Sequence, residues 1–333
     1  MRAITQRRYG SFDVFNLEEI PLPEPKPSEV RVRVHAAAIN DWEMGLMQGK
    51  PLFMRLFLGL FRQKRILIPG CDMAGTVEKV GAQVSRFKPG DKVYGDLSDS
   101  GFGAFAEFVC VKEKALGFKP SNLSFEQAAA IPHAGMLALQ GLRDLGEIKE
   151  GMSILINGAG GGVGVLALQY AKMLRCRVAA VDNTRKQAYL HLLGFDDCID
   201  YQKEDFTRRG RQYDLILDTK TFRSPLDYLP ALKPGGIYVT MGGHSGWTLS
   251  CLLLGKWVKW RHGKQVRLLP LKPNKGLDEF TGLIESGKIL PAIDRRYPLK
   301  EVPRALQRFA EAQHEGKIII RVLVEEVLSD GDG

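Results

Sequence analysis

Hydrophobic and polar residues alternate along the first third of the chain, which is typical of β-strands. The segments EVRVRVHAAAIN and GAFAEFVCVKEKALGFKP alternate over part of their length, and glycine ends the short segments AGTVEKVG and GDKVYGDL. Many short strands with glycine and proline turns predict a compact, barrel-like β domain. We assign residues 1–121 to this domain.

The pattern changes near residue 122, where helical spacing begins to alternate with short apolar runs. After Gly151 the strands SILING, RVAAVD, YDLILDT and IYVTMGG are separated by the helices VGVLALQYAKMLR, TRKQAYLHLLG and SPLDYLPALKPGG. This order predicts an α/β domain with a parallel, doubly wound sheet and a ligand crevice at the carboxyl ends of its strands. We assign residues 122–287 to it.

The pattern changes again near residue 288. ILPAIDRRYPLKE reads as a strand and turn, VPRALQRFAEAQHEG as an amphipathic helix, and KIIIRVLV as a strand. We expect residues 288–333 to return to the first domain, so that the doubly wound domain is an insertion within it.

Composition and charge narrow the range of possible partners and cellular locations. The net charge of +9 is compatible with nucleic acid, a membrane surface or an anionic small ligand. The basic residues are spread along the whole chain without a nucleic-acid-binding module, so we expect no nucleic-acid partner. No signal peptide or membrane span is visible, and the five cysteines form no CxxC pair. We therefore expect a cytoplasmic protein with reduced thiols.

The segment SILINGAGGGVGVLALQYAK carries the strongest chemical signal. Its Ala159-x-Gly161-x-x-Gly164 spacing follows an apolar strand and opens an apolar helix, the context in which such a loop binds a dinucleotide. Backbone N–H groups at the helix start can then face a pyrophosphate. The alternative is a glycine-rich turn that binds nothing. The predicted cofactor residues of the loop are Ala159, Gly160, Gly161, Gly162, Val163 and Gly164.

The end of the second strand of this domain bears on the choice between NAD and NADP. Asp182 follows Gly164 by 18 residues, near the spacing at which an acidic side chain binds the ribose hydroxyls of NAD. The next residues can instead bind a 2′-phosphate, and a tyrosine in IDY can stack near the adenosine. We expect a slight preference for NADPH over NADH, with solvated bases as the alternative. These further candidates are Thr184, Arg185, Lys186 and Tyr201.

Four motifs, NGAGGGVG, IPGCDMAGTVEKVG, FKPGDKVYG and LKPGGIYV, together resemble the medium-chain dehydrogenase/reductase superfamily over nearly the whole chain. The likeness is greatest to its zinc-free quinone oxidoreductases and enone reductases. It implies a GroES-like catalytic domain interrupted by a Rossmann domain, hydride transfer from NAD(P)H to a small apolar carbonyl or quinone, and a homodimer. The alternatives are an alcohol dehydrogenase and a dinucleotide-binding redox sensor or accessory protein without turnover.

The resemblance also indicates that a catalytic metal is absent. Zinc members of the family have a cysteine where Asn40 stands and a histidine where the turn here reads Gly70-Cys71-Asp72, and their four close structural cysteines are missing. Zinc needs three or four converging ligands, and Cys71 with Asp72 offers two at most. We therefore expect no metal and an inert, packed Cys71.

Three residues are candidates for catalysis. In zinc-free relatives an asparagine at the position of Asn40 faces the nicotinamide and can donate to the substrate carbonyl; the alternative is an Asx turn at the next helix. Tyr94, at the mouth of a barrel strand, can donate a proton or simply pack. His133, in IPHAGMLALQGL, can donate a proton or be structural.

Other segments are expected near the cofactor or the substrate. In the family, Met241, Gly242 and Gly243 lie near the nicotinamide, and Lys317 in HEGKIII either reaches the cleft or is an ordinary edge charge. Two apolar and basic stretches remain, at residues 49–65 and 248–264. We expect a substrate lid from the first and a dimer contact from the second. Peripheral binding to an anionic membrane is the alternative for both.

Overall fold

The structure is a computed structural model that describes residues 1–50, 55, 67–242 and 245–323. Its strands are β1 (Arg2–Gln6), β2 (Phe15–Glu19), β3 (Glu29–Ala38), β4 (Asp72–Val80), β5 (Lys92–Asp96), β6 (Phe108–Lys112), β7 (Gly117–Phe118), β8 (Ser153–Asn157), β9 (Arg177–Asp182), β10 (Asp197–Asp200), β11 (Tyr213–Asp218), β12 (Leu232–Thr240), β13 (Gln265–Leu268), β14 (Ile293–Pro298) and β15 (Lys317–Arg321). Its helices are α1 (Asp41–Gln48), α2 (Phe125–Ala129), α3 (Pro132–Leu139), α4 (Gly162–Met173), α5 (Gln187–Leu193), α6 (Ser245–His262), α7 (Leu277–Glu285) and α8 (Val302–Ala310).

The alternating N-terminal segments form a mostly antiparallel sheet that the last strands of the chain complete. Its strand order is β14-β15-β3-β4-β5-β7, with β6 also paired to β3. β15 runs antiparallel to β3 and parallel to β14. Val30, Val32 and Val34 of β3 are buried in the core of this domain. Strands β14 and β15, which follow residue 288, therefore lie in the same sheet as the N-terminal strands.

The second sheet is wholly parallel in its described pairs and has the order β10-β9-β8-β11-β12-β13. This is the order of a dinucleotide-binding doubly wound sheet, and it reverses at β8. The predicted fold class, a Rossmann domain inserted in a β-rich domain, is confirmed. The crevice at the reversal lies beside the carboxyl end of β8, where the glycine-rich loop begins.

One predicted helix differs from the structure. SPLDYLPALKPGG was expected to be a helix, but only Pro225–Ala231 forms a short 3-10 turn, and Leu232 already begins β12. Pro230 lies inside that turn and has no N–H to donate, so a regular helix cannot continue through it. The stretch 248–264 forms most of α6. Most of the stretch 49–65 lies outside the described residues.

The two domains meet at the nucleotide loop. The N–H of Gly316, just before β15, donates to the carbonyl of Gly160 at 2.8 Å, and Gly316 also pairs with Gly161. The last part of the first domain therefore forms one wall of the crevice. Among the described helices, none is both long and apolar enough to cross a membrane.

Candidate active site

Asn40 stands where β3 gives way to α1. Its extended backbone precedes the first turn of α1, and its N–H donates to Glu43 Oε2 at 2.7 Å. Its side chain points into the protein, where Nδ2 donates to Asp72 Oδ2 at 3.0 Å and to Cys71 Sγ at 3.1 Å. Asn40 thus begins the helix and also joins a buried polar cluster.

Lys317 fixes the other end of the Asn40 amide. Its ammonium group donates to Asn40 Oδ1 at 2.6 Å, to the Ile39 carbonyl at 3.0 Å and to Asp72 Oδ2 at 3.1 Å. Lys317 is only 5% exposed, so it is not an ordinary edge charge. Because the oxygen of Asn40 faces an ammonium group, its NH2 group must face Asp72 and Cys71.

A second ion pair completes the cluster. The backbone N–H of His133 donates to Asp72 Oδ1 at 2.8 Å, and the ring atom Nδ1 of His133 lies 2.7 Å from Asp96 Oδ2. Burial opposes the charges of both side chains. Their hydrogen bond and mutual attraction nevertheless raise the pKa of His133 and lower that of Asp96. The pair therefore holds its proton on His133.

Glu43 and Cys71 line the floor of the cluster. Glu43 is fully buried, and its Oε1 accepts from the Cys71 N–H at 3.1 Å. Burial raises the pKa of Glu43 to about 7. Burial, and then the negative charges of Glu43, Asp96 and Asp72, raise the pKa of Cys71 well above its usual value. Cys71 is therefore a protonated thiol, as expected for a packed and unreactive cysteine.

Tyr94 does not join this cluster. Its ring is fully buried, and its hydroxyl lies 2.7 Å from Thr281 Oγ1 of α7. Burial raises the pKa of Tyr94, and the hydroxyl is occupied at the contact between β5 and α7. This is the packing alternative that the sequence left open.

The glycine-rich loop has a shape that side chains would fill. Gly158 has a φ of +82°, and a Cβ on Gly164 would lie 2.2 Å from the Ala159 carbonyl oxygen. A Cβ on Gly162 would lie 2.6 Å from the Lys317 side chain. The free N–H groups at the start of α4 follow directly. Of the other predicted loop residues, Ala159 is buried and Val163 packs against the core beneath. This cradle fits the pyrophosphate of a dinucleotide.

At the ribose end, the Asp182 carboxylate is turned toward the loop. It accepts from the N–H groups of Gly160 and Asn183, both at 2.9 Å, and lies 3.7 Å from Lys186 Nζ. Lys186 is buried, which lowers its pKa. Arg185 is exposed.

The remaining predicted residues surround the same crevice. Thr184 is exposed, and its hydroxyl donates to Asp200. Tyr201 is 47% exposed beside Asp182, so its ring is accessible. Met241 follows β12, and the Gly242 carbonyl accepts from Thr221 Oγ1 at 2.6 Å. Gly243 lies outside the described residues.

Sequence reasoning missed how the carboxylates assemble. Asp72 and Asp96 are directly paired across β4 and β5, and Glu43 lies beneath them. The available signal was an aspartate at the end of each of two neighbouring strands, in GCDMAG and in YGDLS. Paired strand ends bring such side chains together.

Comparison with known proteins identifies the family. Residues 26–121 match the family model of the alcohol dehydrogenase GroES-like domain, and residues 193–320 match that of the zinc-binding dehydrogenases. The 2-methylene-furan-3-one reductase of Solanum lycopersicum is 33% identical over 96% of this chain and 79% of its own length. The chain belongs to the medium-chain dehydrogenase/reductase superfamily, in its quinone oxidoreductase-like branch.

Other members of this superfamily agree with that placement. The NADPH-dependent alkenal/one oxidoreductase of Arabidopsis thaliana is 32% identical over 96% of this chain and 79% of its own length. The quinone oxidoreductase of Coxiella burnetii has the same fold, with a TM-score of 0.87 and 29% identity over 97% of this chain and 99% of its own. The predicted family is confirmed, and the protein is an NAD(P)H-dependent oxidoreductase of this superfamily.

Because the superfamily includes zinc enzymes, the cluster must be tested as a metal site. The sequence suggested Cys71 and Asp72 as its only potential ligands, which was incomplete. In the described residues the ligand atoms of Cys71, Asp96 and His133 lie within 4.8 Å of one another. In the arrangement described, His133 Nδ1 and Asp96 Oδ2 are hydrogen-bonded to each other at 2.7 Å, and Cys71 Sγ accepts from the Asn40 amide at 3.1 Å. Zinc would have to displace these hydrogen bonds and the protons in them, and we derive no step through a metal.

Proposed function

We propose that this protein reduces a conjugated carbonyl compound or a quinone without a metal, and that Asn40 stabilises the developing oxyanion. The observation that carries the proposal is the fixed amide of Asn40, whose NH2 group is oriented by Lys317 beside the nucleotide loop. NAD(P)H, when bound, supplies the hydride. The names of the Solanum and Arabidopsis relatives support a conjugated carbonyl acceptor.

The two N–H groups of the Asn40 amide are not equivalent. One donates to the Asp72 carboxylate, and the other has only the sulfur of Cys71, a weak acceptor, at 3.1 Å and the distant Ala38 carbonyl at 3.4 Å. A substrate oxygen that gains negative charge is a much better acceptor than a thiol. We infer that the substrate oxygen approaches this second N–H, which then exchanges its weak contact with Cys71 for the developing oxyanion as hydride arrives.

This chemistry suits a conjugated acceptor better than an alcohol. Conjugation spreads the charge that hydride adds, so a neutral amide donor suffices, whereas a simple carbonyl needs a metal or a strong acid. In our proposal His133 acts as a positioning residue, because its ring is held by Asp96 and its N–H orients Asp72. Tyr94 has no part in the proposal.

We also propose a preference for NADPH over NADH. The Asp182 carboxylate is already bound to the loop, which leaves it fewer acceptors for ribose hydroxyls. Arg185 is exposed beside it and pairs with no acidic side chain in the described part of the chain. A 2′-phosphate can therefore gain a partner there.

One panel of assays tests the function. Chelator-treated protein is given NADPH or NADH with enones, quinones and aldehydes, and alcohol oxidation is followed with NADP and NAD. We expect turnover of enones or quinones and no zinc by elemental analysis. Stoichiometric zinc with activity lost on chelation would overturn the metal-free mechanism. Dinucleotide binding without any turnover would favour a redox sensor or accessory protein.

The exposed side chains of α6 and the free cysteines bear on the assembly and the location of the protein. Leu253, Trp257 and Trp260 of α6 are exposed, Trp260 by 81%, next to the edge strand β13. We propose that a second copy of the chain covers them, with an anionic membrane surface as the alternative. Light scattering and vesicle sedimentation separate the two. The five free cysteines agree with the reduced cytoplasm, which fractionation of cells would test.

A further inference from the structure

Four basic side chains surround the nucleotide loop, and each lies against a different glycine. The distances run from the side chain to the point where a Cβ on the glycine would stand. They are 3.0 Å for Lys220 Cγ at Gly158, 2.7 Å for Lys186 Cδ at Gly160, 3.7 Å for His314 Nε2 at Gly161, and 2.6 Å for Lys317 Cγ and Cδ at Gly162.

Two of the four already have an acidic partner. Lys186 pairs with Asp182 at 3.7 Å, and Lys317 pairs with Asp72 at 3.1 Å. Lys220 forms no ion pair with any residue that the structure describes. Its backbone N–H donates to Asp218, so the start of the segment after β11 is held in place.

His314 is the more unusual of the other two. It is 4% exposed, its ring stacks on Phe309 with centroids 4.7 Å apart, and its Nδ1 has no hydrogen-bond partner among the described residues. A buried polar atom without a partner costs stability and calls for an explanation. Burial and the nearby positive charges of Lys186, Lys220, Lys317 and Arg308 lower the pKa of His314, so the imidazole is neutral in the free protein.

The position of both groups points to one anion. Lys220 follows β11, His314 precedes β15, and both face the loop at the start of α4, beside the point where the strand order reverses. The pyrophosphate of a dinucleotide binds at such a helix start. A 2′-phosphate would instead lie beyond β9, near Arg185, on the other side of β8.

We propose that Lys220 and His314 bind the pyrophosphate of the dinucleotide, with His314 contributed by the GroES-like domain. The inference rests on the proposed nucleotide-dependent function. It assigns the unpaired cation of Lys220 and the loop-facing Nε2 of His314 to the pyrophosphate, which NADH, NADPH and ADP all carry.

Calorimetric titration of the full chain with NADPH, NADH and ADP tests the assignment. Lys220→Met and His314→Leu should each weaken all three ligands by the same factor, about 10- to 100-fold, which is the range for losing a hydrogen bond to a charged group. Lys220→Arg should restore most of the affinity. Lys149→Met removes the same charge at the opposite, amino-terminal edge of the parallel sheet and should leave binding unchanged.

Equal affinities in wild type, Lys220→Met and His314→Leu would overturn the proposal. A loss confined to NADPH would also overturn it, because it would place the two groups at the 2′-phosphate. If His314→Leu fails to fold, Lys220→Met still tests the proposal, because the Lys220 side chain is partly exposed and its replacement should not unfold the protein. If the wild type binds no dinucleotide, the proposed function fails; binding that these variants do not alter contradicts only this assignment.

Discussion

The two ends of the cleft differ in how their charged side chains are paired. At the substrate end, Asp72 pairs with Lys317 and Asp96 with His133, all of them buried. At the nucleotide end, Lys220 and Arg185 have no acidic partner in the described residues. Removing one member of a closed, buried network leaves an uncompensated charge, whereas removing an unpaired cation does not. We therefore expect the first end to govern stability and the second to govern only affinity.

The largest difference should separate two lysines given the same substitution. Lys317→Met leaves Asp72 buried without its cation and should destabilise the fold by about 3–5 kcal/mol. Lys220→Met should unfold in urea at nearly the wild-type midpoint. Urea titrations of both variants check this, and equal midpoints would remove the distinction between the two ends.

The buried carboxyl of Glu43 should make the stability of the substrate end depend on pH. Its pKa in the folded protein is about 7, against an ordinary value of 4.5, so the folded chain keeps a proton that the unfolded chain has lost. Stability should therefore fall as the pH rises from about 4.5 to about 7, by roughly 3 kcal/mol. Glu43→Gln should lose this part of the slope, whatever its absolute stability. If the stability of the variant and that of the wild type fell equally with pH over this range, the pKa assigned to Glu43 would be wrong.

Asn40 should affect rate more than binding. Asn40→Ala removes one donor to the oxyanion and should lower kcat/KM for an enone by about 10- to 100-fold. The dissociation constant of NADPH should stay near the wild-type value, and thermal melting should show that the variant is folded. Unchanged kinetics on an enone that the wild type reduces would exclude Asn40 from the mechanism.

The smallest effect is expected at exposed Arg185. Arg185→Ala should weaken NADPH by roughly fivefold, or about 1 kcal/mol for an exposed pair, and should leave NADH unaffected. Asp182→Ala should have the opposite effect on cofactor preference and favour NADPH over NADH. Fluorescence titrations with both cofactors measure the ratio. If the wild type binds NADH far more tightly and Arg185→Ala leaves NADPH affinity unchanged, Asp182 decides the preference.

Local patterns were enough to predict the parallel sheet, the glycine-rich loop and the family. The loop with its flanking strand and helix lies within about 20 consecutive residues, and the sheet and the family followed from several such local segments along the chain. β10 and β13 were missed because each is four residues long, too short for its pattern to distinguish a strand from a loop. A four-residue strand is defined by its pairing with a neighbouring strand, which the segment itself does not reveal.

The polar cluster could be predicted only in part. Asn40 and Lys317 were expected at the cleft from family motifs, but their contact joins residues 277 positions apart. His133 and Asp96 come from a helix and a strand whose relative placement no local pattern specifies. His314 was not singled out, because its significance lies in the hydrogen-bond partner that it lacks.

The place of β15 between β14 and β3 has a consequence for synthesis on the ribosome. The first domain begins at the start of the chain, yet its sheet stays split until Lys317–Arg321 have left the exit tunnel. The strands of the nucleotide-binding sheet emerge earlier, while the sheet of the first domain is incomplete. A nascent chain whose residues 314–321 are still inside the tunnel would thus have synthesised α4 and β8 but could not yet place Lys317 against Asn40 or His314 against the nucleotide loop.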